Sequence, residues 1–161
     1  MKYRRLTLTE LQELEKEFTR FLASHSVTAN EWVKIKENSP EKMENLLGIF
    51  SDIVFDKILG NVEYLEHKRA KDFRVYQFKD DKAVMFGLFI QGESDIDFRK
   101  EDDTQSMMTK IQTTGASVKL FAGEKKYKFT KEMEIFKVME EGALISKDAS
   151  MFNTLQSLIK K

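Results

Sequence analysis

The sequence predicts an α+β protein, a layered arrangement of helices around one sheet, and three observations carry that reading. Apolar residues recur at helical spacing from Leu8 to Ile58. Past Gly60 the pattern changes to short strand-like runs, Val62 to His67 and Phe73 to Lys79. The stretch Ala83-Val84-Met85-Phe86-Gly87-Leu88-Phe89-Ile90 is apolar without alternation, as in a strand covered on both faces. The expected architecture is three N-terminal helices, a mixed sheet of four or five strands centred on residues 83–90, and three further helices.

Each element has a local reason. Thr7 and Glu10 stand at capping-box spacing, where the hydroxyl takes one free backbone N–H and the carboxylate reaches back to another. Leu8, Leu11, Leu14, Phe18, Phe21 and Leu22 then follow one face of a first helix. Thr28 with Glu31 repeats the spacing before Trp32, Val33 and Ile35. Ser39-Pro40 opens the third helix, because proline at the first helical position forfeits no needed hydrogen bond. Met43, Leu46, Leu47, Phe50, Ile53, Val54 and Ile58 form its apolar face, and Gly60 is a natural stop.

Asp80-Asp81 reads as the polar turn between the second strand and the apolar third. Residues Ser94 to Asp103 read as an acidic connection, followed by a helix over 104–114 with Met107, Met108 and Ile111 inward. Ser117 to Phe121 is a strand, and a right-handed parallel crossover is favoured if it joins the same sheet. Ala122 to Thr130 reads as a lysine-rich loop or short hairpin, and 131–141 as a helix ended by Gly142. Ala143-Leu144-Ile145 suggests a brief edge strand, and 148–160 a last helix. The composition breaks once, near Gly60, between a helical part (1–60) and an α/β part (61–161); with no Pro/Gly/Ser linker, residues 1–161 read as a single domain.

Composition narrows the class of function. The chain has 161 residues, 27 basic against 27 acidic, so it lacks the global charge of a polyanion binder. It has no cysteine, which removes disulfides, thiolate metal sites and a thiol nucleophile. Its longest apolar run is far short of the roughly 20 residues that span a membrane, and no signal-peptide pattern follows Met1, so a cytoplasmic protein without a membrane partner is expected.

Five stretches resemble one family when taken together: residues Met1 to Thr7, Thr28-Ala29-Asn30-Glu31-Trp32 and Phe50-Ser51-Asp52-Ile53-Val54, then Glu63-Tyr64-Leu65-Glu66-His67, and Glu134-Ile135-Phe136 running on to residues 141–146. The chain is similar in them to an uncharacterised bacterial family, a domain of unknown function. The resemblance spans most of the chain and implies no reaction, ligand or catalytic residue.

Missing motifs constrain the chemistry further. Gly92-Glu93-Ser94 and Gly115-Ala116-Ser117 are half nucleophile elbows, but Ile96 and Lys119 occupy the second glycine positions. No phosphate-cradling glycine motif is present. Of the two histidines, His25 suits the C-terminal end of the first helix. His67 has a near-neutral ordinary pKa and is a candidate general base or metal ligand with Glu66 and Tyr64, against the plainer reading of a boundary histidine. In a strand Tyr64 and Glu66 point to one face, and Leu65 and His67 to the other.

Asp95 and Asp97 offer hard oxygen ligands to a divalent cation, but Arg99 and Lys100 break the EF-hand pattern; the plainer reading is a solvated loop whose Asp102 or Asp103 caps the next helix. Residues 119–131 carry five lysines against Glu124, interleaved with aromatics. Lys125, Lys126, Tyr127 and Lys128 are therefore candidates for weak single-stranded nucleic-acid binding. The same alternation suits a half-buried strand. The leading functional reading is a small non-enzymatic interaction or regulatory domain, with no cofactor, acting on a protein partner or on a second copy as a homodimer. Zero net charge leaves self-association unopposed at long range. The alternatives are a small-molecule binder or enzyme using Tyr64, Glu66 and His67, and the nucleic-acid reading.

Overall fold

A computed structural model describes residues 1–100, 104–113, 115 and 117–160. Its chain forms two compact units, Met1–Gly60 and Asn61–Lys161, which divide where the composition breaks. The fold class is α+β, as the sequence indicates.

The first unit is helical, with four helices where three are expected: α1 (Leu8–Glu13), α2 (Glu15–Ser24), α3 (Ala29–Asn38) and α4 (Pro40–Gly60). The expected first helix breaks at Leu14, which leaves helical dihedrals (φ −105°, ψ 24°) and shares its N–H between the carbonyls of Glu10 (3.1 Å) and Leu11 (3.2 Å). No glycine or proline signals that break. The one-residue offset still leaves Leu11, Leu14 and Phe18 on the unit's core, where Phe18 packs 4.9 Å from Phe50 and 5.2 Å from Trp32 between ring centroids.

Both halves of the capping box form at Thr7 and Glu10. At Thr28 only the hydroxyl half forms, with Glu31 N–H donating over 3.2 Å. Residues before Thr7 lie along α4. Lys2 N–H meets both carboxylate oxygens of Asp52 (2.9 and 2.8 Å), and Leu6 N–H donates to the fully buried Ser51 hydroxyl (2.9 Å). That hydroxyl in turn donates to Leu47 O (2.7 Å), so no buried polar group there lacks a partner.

The second unit is one sheet with helices. Its strands are β1 (Tyr64–Lys68), β2 (Asp72–Phe78), β3 (Lys82–Gln91), β4 (Ser117–Lys126) and β5 (Leu144–Ile145), in the order β4-β3-β2-β1-β5. A 3₁₀ turn (Phe98–Lys100), α5 (Thr104–Thr113), α6 (Lys131–Glu140) and α7 (Ser150–Ile159) complete it.

Every pairing is antiparallel, which corrects the expected mixed sheet. The reason lies in the connection from β3 to β4. Its residues Ile96 (4% exposed) and Phe98 (0%) do not dangle in solvent but enter the core with Met107 of α5. The Lys71 ammonium holds this connection from below, donating to the carbonyls of Ser94 and Ile96. The chain covers one face and returns to the end it left, so that Ser117 pairs with Gln91. β3 is consequently interior, but β2 is the middle strand.

β3 sorts its side chains after all. Val84, Phe86, Leu88 and Ile90 face the core under α7, with Phe73, Val75, Phe152 and Leu155. Ala83, Met85, Gly87 and Phe89 face the opposite side. There the Phe121 ring lies across Gly87, so close that a Cβ at Gly87 would sit 2.3 Å from it. β4 also runs to Lys126, absorbing half of the expected lysine-rich loop. Among the described residues, no helix is long and apolar enough to cross a membrane.

Candidate functional site

The antiparallel register places the sequence candidates. Tyr64 and Glu66 share the core face of the sheet: Tyr64 packs 5.5 Å from Phe152 between centroids and accepts from Gln77 Nε2 at 3.1 Å. Glu66 lines a groove of about 520 Å³ beside β5, with Lys68, Arg99 and Ser146. His67 pairs across the strands with Arg74 and lies on the opposite face, 6% exposed beneath Gly142. The sheet therefore separates the imidazole from the carboxylate and the phenol. They form no single constellation.

Burial pushes the His67 pKa below its ordinary 6.5, helped by Arg69 and Arg74 and opposed by Glu141 and Asp72. Its neutral form thus belongs to the folded state. The associated stability is fully present above 6.5 and is lost as pH falls from 6.5 through the lower folded value. Urea midpoints are expected to drop between about pH 7.5 and pH 5.5 in the wild type and to stay flatter in His67→Gln. Glu10, held to about 2 chiefly by the Arg4 guanidinium, loses its contribution as pH falls from 4.5 towards that value, below that pH range. An equal drop in His67→Gln would reject this assignment.

Asp97 is taken by Arg99, whose Nε (2.9 Å) and Nη2 (2.7 Å) grip its two oxygens and hold its carboxyl at about 2. Asp95 lies apart, in a shallow depression with Lys110 and Thr113. Among the described residues, no group of three or more metal-ligating side chains comes together. Asp102 and Asp103, expected as helix caps, lie outside the described residues. His25 ends α2, with its Nδ1 3.1 Å from Phe21 O.

The basic candidates split as well. Lys126 pairs with Lys82 across β3, while Lys125 pairs with Ala83 and so shares the opposite face with Phe121 and Gly123. Tyr127 is bound to the β2–β3 turn, its hydroxyl within 2.6 Å of Lys79 O and 2.8 Å of Lys82 O. Lys128 contributes its backbone N–H, which donates to Glu134 over 3.3 Å.

Two surface features emerge that single residues did not reveal. One is the outer edge of β4, a ten-residue strand with no neighbour beyond it among the described residues. The other is a hollow of about 260 Å³ on the face opposite the core cluster. Its floor is the cross-strand row Tyr76, Met85 and Gly123, and the buried Glu134 of α6 stands at its rim. Glu134 gave the sequence reading only a charge inside a partly apolar helix, and Gly123 only a glycine among lysines. Neither signal points to a shared hollow without the register.

The geometry defines an α+β protein: an antiparallel five-stranded sheet under helices, and a helical unit that is compact by itself. The chain belongs to the family of unknown function DUF6495, whose model matches residues 1–160. No curated protein and no solved structure matches it. Several of the stretches that carry the resemblance meet in the fold: residues 1–7 lie on Ser51 and Asp52, and β1 pairs with β5.

Proposed function

We propose that this protein is a non-enzymatic interaction domain that pairs with a second copy of itself through the outer edge of β4. The observation that supports this reading is that the edge has no neighbouring strand among the described residues. An edge strand presents unpaired N–H and C=O groups at every second residue, and proteins normally blunt it with bulges, prolines, shortness or charge. β4 keeps an unbroken register with β3 over its whole length, contains no proline, and carries no charge between Lys119 and Glu124. Within that gap Leu120 is 43% exposed.

The side-chain pattern also selects a register. Antiparallel pairing about an axis normal to the sheet keeps each face on its own side, so opposed residue numbers share parity. Centring on Ala122 sets Lys119 against Lys125, and centring on Phe121 sets Val118 against Glu124. Centring on Leu120 sets Leu120 against itself, Val118 against Ala122, and the Lys119 ammonium beside the Phe121 ring, a favourable cation–π pairing.

Because the chain has no cysteine, a single introduced thiol reports the register. Opposed Cα atoms lie about 4.5–5.5 Å apart, within disulfide range. Sedimentation equilibrium is expected to show a dimer, lost in Leu120→Lys with an unchanged circular dichroism spectrum. Leu120→Cys is expected to oxidise to a covalent dimer, and Ala122→Cys is not. A wild-type protein that stays monomeric at every concentration overturns the reading.

A further inference from the structure

The hollow over Gly123 is built like a small ligand site, and we propose that it binds an organic ammonium ion, a primary amine carrying a compact apolar or aromatic body. At about 260 Å³ it falls just below the size of drug-sized pockets, which suits a small molecule. Gly123 makes the depression, since its neighbours on that face of β4 are Phe121 and Lys125. The apolar floor and wall come from Met85, Phe78 and Val138.

The charge that the ligand would meet is Glu134. Carboxylates are rarely buried unless paired, and this one is 6% exposed. Its contacts are long: 3.3 Å from Lys128 N–H and 3.5 Å from the Lys125 ammonium. An ionised carboxylate has about four acceptor sites, so capacity remains. The Lys125 side chain is 62% exposed and is easily released to water. A ligand ammonium would take its place on Glu134.

Two further features favour a cation. Tyr76, Phe78 and Tyr127 line the hollow, and aromatic faces attract ammonium groups. Asp80, Asp81, Glu132 and Glu134 all act on Tyr127, whose phenol burial and these carboxylates together push up to about 12. The other cation of the lining, Arg74, is already engaged: its Nε lies 3.2 Å from Asp72, and its guanidinium lies 5.5 Å from the Phe121 ring centroid. An anionic ligand would have to draw on Arg74 or Lys125 instead.

Three probes of one shape decide the matter by calorimetric titration of the full chain: phenethylamine, 2-phenylethanol and 3-phenylpropionate. The amine is expected to bind saturably, at least ~10-fold tighter than the other two. Glu134→Gln is expected to abolish amine binding. Lys125→Met is expected to strengthen it severalfold, because a competing ammonium is removed. Gly123→Val tests location, since a Cβ there makes only ordinary contact with Met85 Cε at 3.5 Å, and valine suits a strand better than glycine. It is expected to fill the hollow and abolish binding with the thermal midpoint kept. The proposal is overturned if the carboxylate binds tightest, if Gly123→Val leaves amine binding intact, or if no probe saturates at millimolar concentration.

Discussion

Phe98→Ala is expected to destabilise the second unit by about 3–5 kcal/mol, the usual cost of truncating a fully buried phenylalanine. Phe98 has no exposed surface and packs 6.1 Å from Phe73 between ring centroids, in the cluster beneath α7. Its backbone N–H also donates to Ala70 O over 3.1 Å, which ties the β3–β4 connection to the β1–β2 turn. The substitution therefore opens a cavity and loosens the segment that brings the chain back to β4. Phe98→Leu keeps most of the volume and should cost less than about 1.5 kcal/mol. Urea unfolding followed by far-ultraviolet circular dichroism measures both. A loss below about 1 kcal/mol for the alanine variant would mean that the connection is a solvated loop after all.

Gly142→Ala carries the second large effect, and it separates into two causes. Gly142 sits at φ 119°, a region that side chains rarely adopt, directly after α6. Its N–H donates to Met139 O (3.0 Å), and the next N–H, of the buried Ala143, reaches Val138 O (3.3 Å). Those two bonds are the Schellman closure of a helix, and they need the left-handed residue between them. Forcing alanine there costs about 1–3 kcal/mol in backbone strain. The added Cβ would also lie 3.2 Å from His67 Nε2, tighter than ordinary contact. Combining Gly142→Ala with His67→Ala should recover the crowding and leave the backbone cost. Full recovery in that double variant would show that the steric contact, not the dihedral angle, governs this turn.

Legibility varied with the range of the interaction. The capping box at Thr7, the helix stop before Gly142 and the alternation that parts Glu66 from His67 were all readable from a few adjacent residues. The break at Leu14 was not, because no residue there disfavours a helix and only packing against Phe50 and Trp32 settles the offset. Ile96 and Phe98 were lost among carboxylates. An acidic composition described the connection correctly on average, and wrongly at the two positions that bury. The lysines of 119–131 read as one basic stretch, yet the pleat sends Lys125 and Lys126 to opposite faces and engages the Tyr127 hydroxyl in a turn.

The amino-acid sequence alone carried the α+β class, the change of composition near Gly60, most of the element boundaries and the resemblance to one family across the chain. Those follow from periodicity, caps and turn residues, which act over a few residues at a time. It took the folded chain to show that the sheet is antiparallel, that β4 is one of its edge strands, and that Glu134, Gly123 and Met85 line one hollow. Such facts depend on strand order and register. They are set by which apolar residues of a distant connection find the core, a competition that no local pattern records.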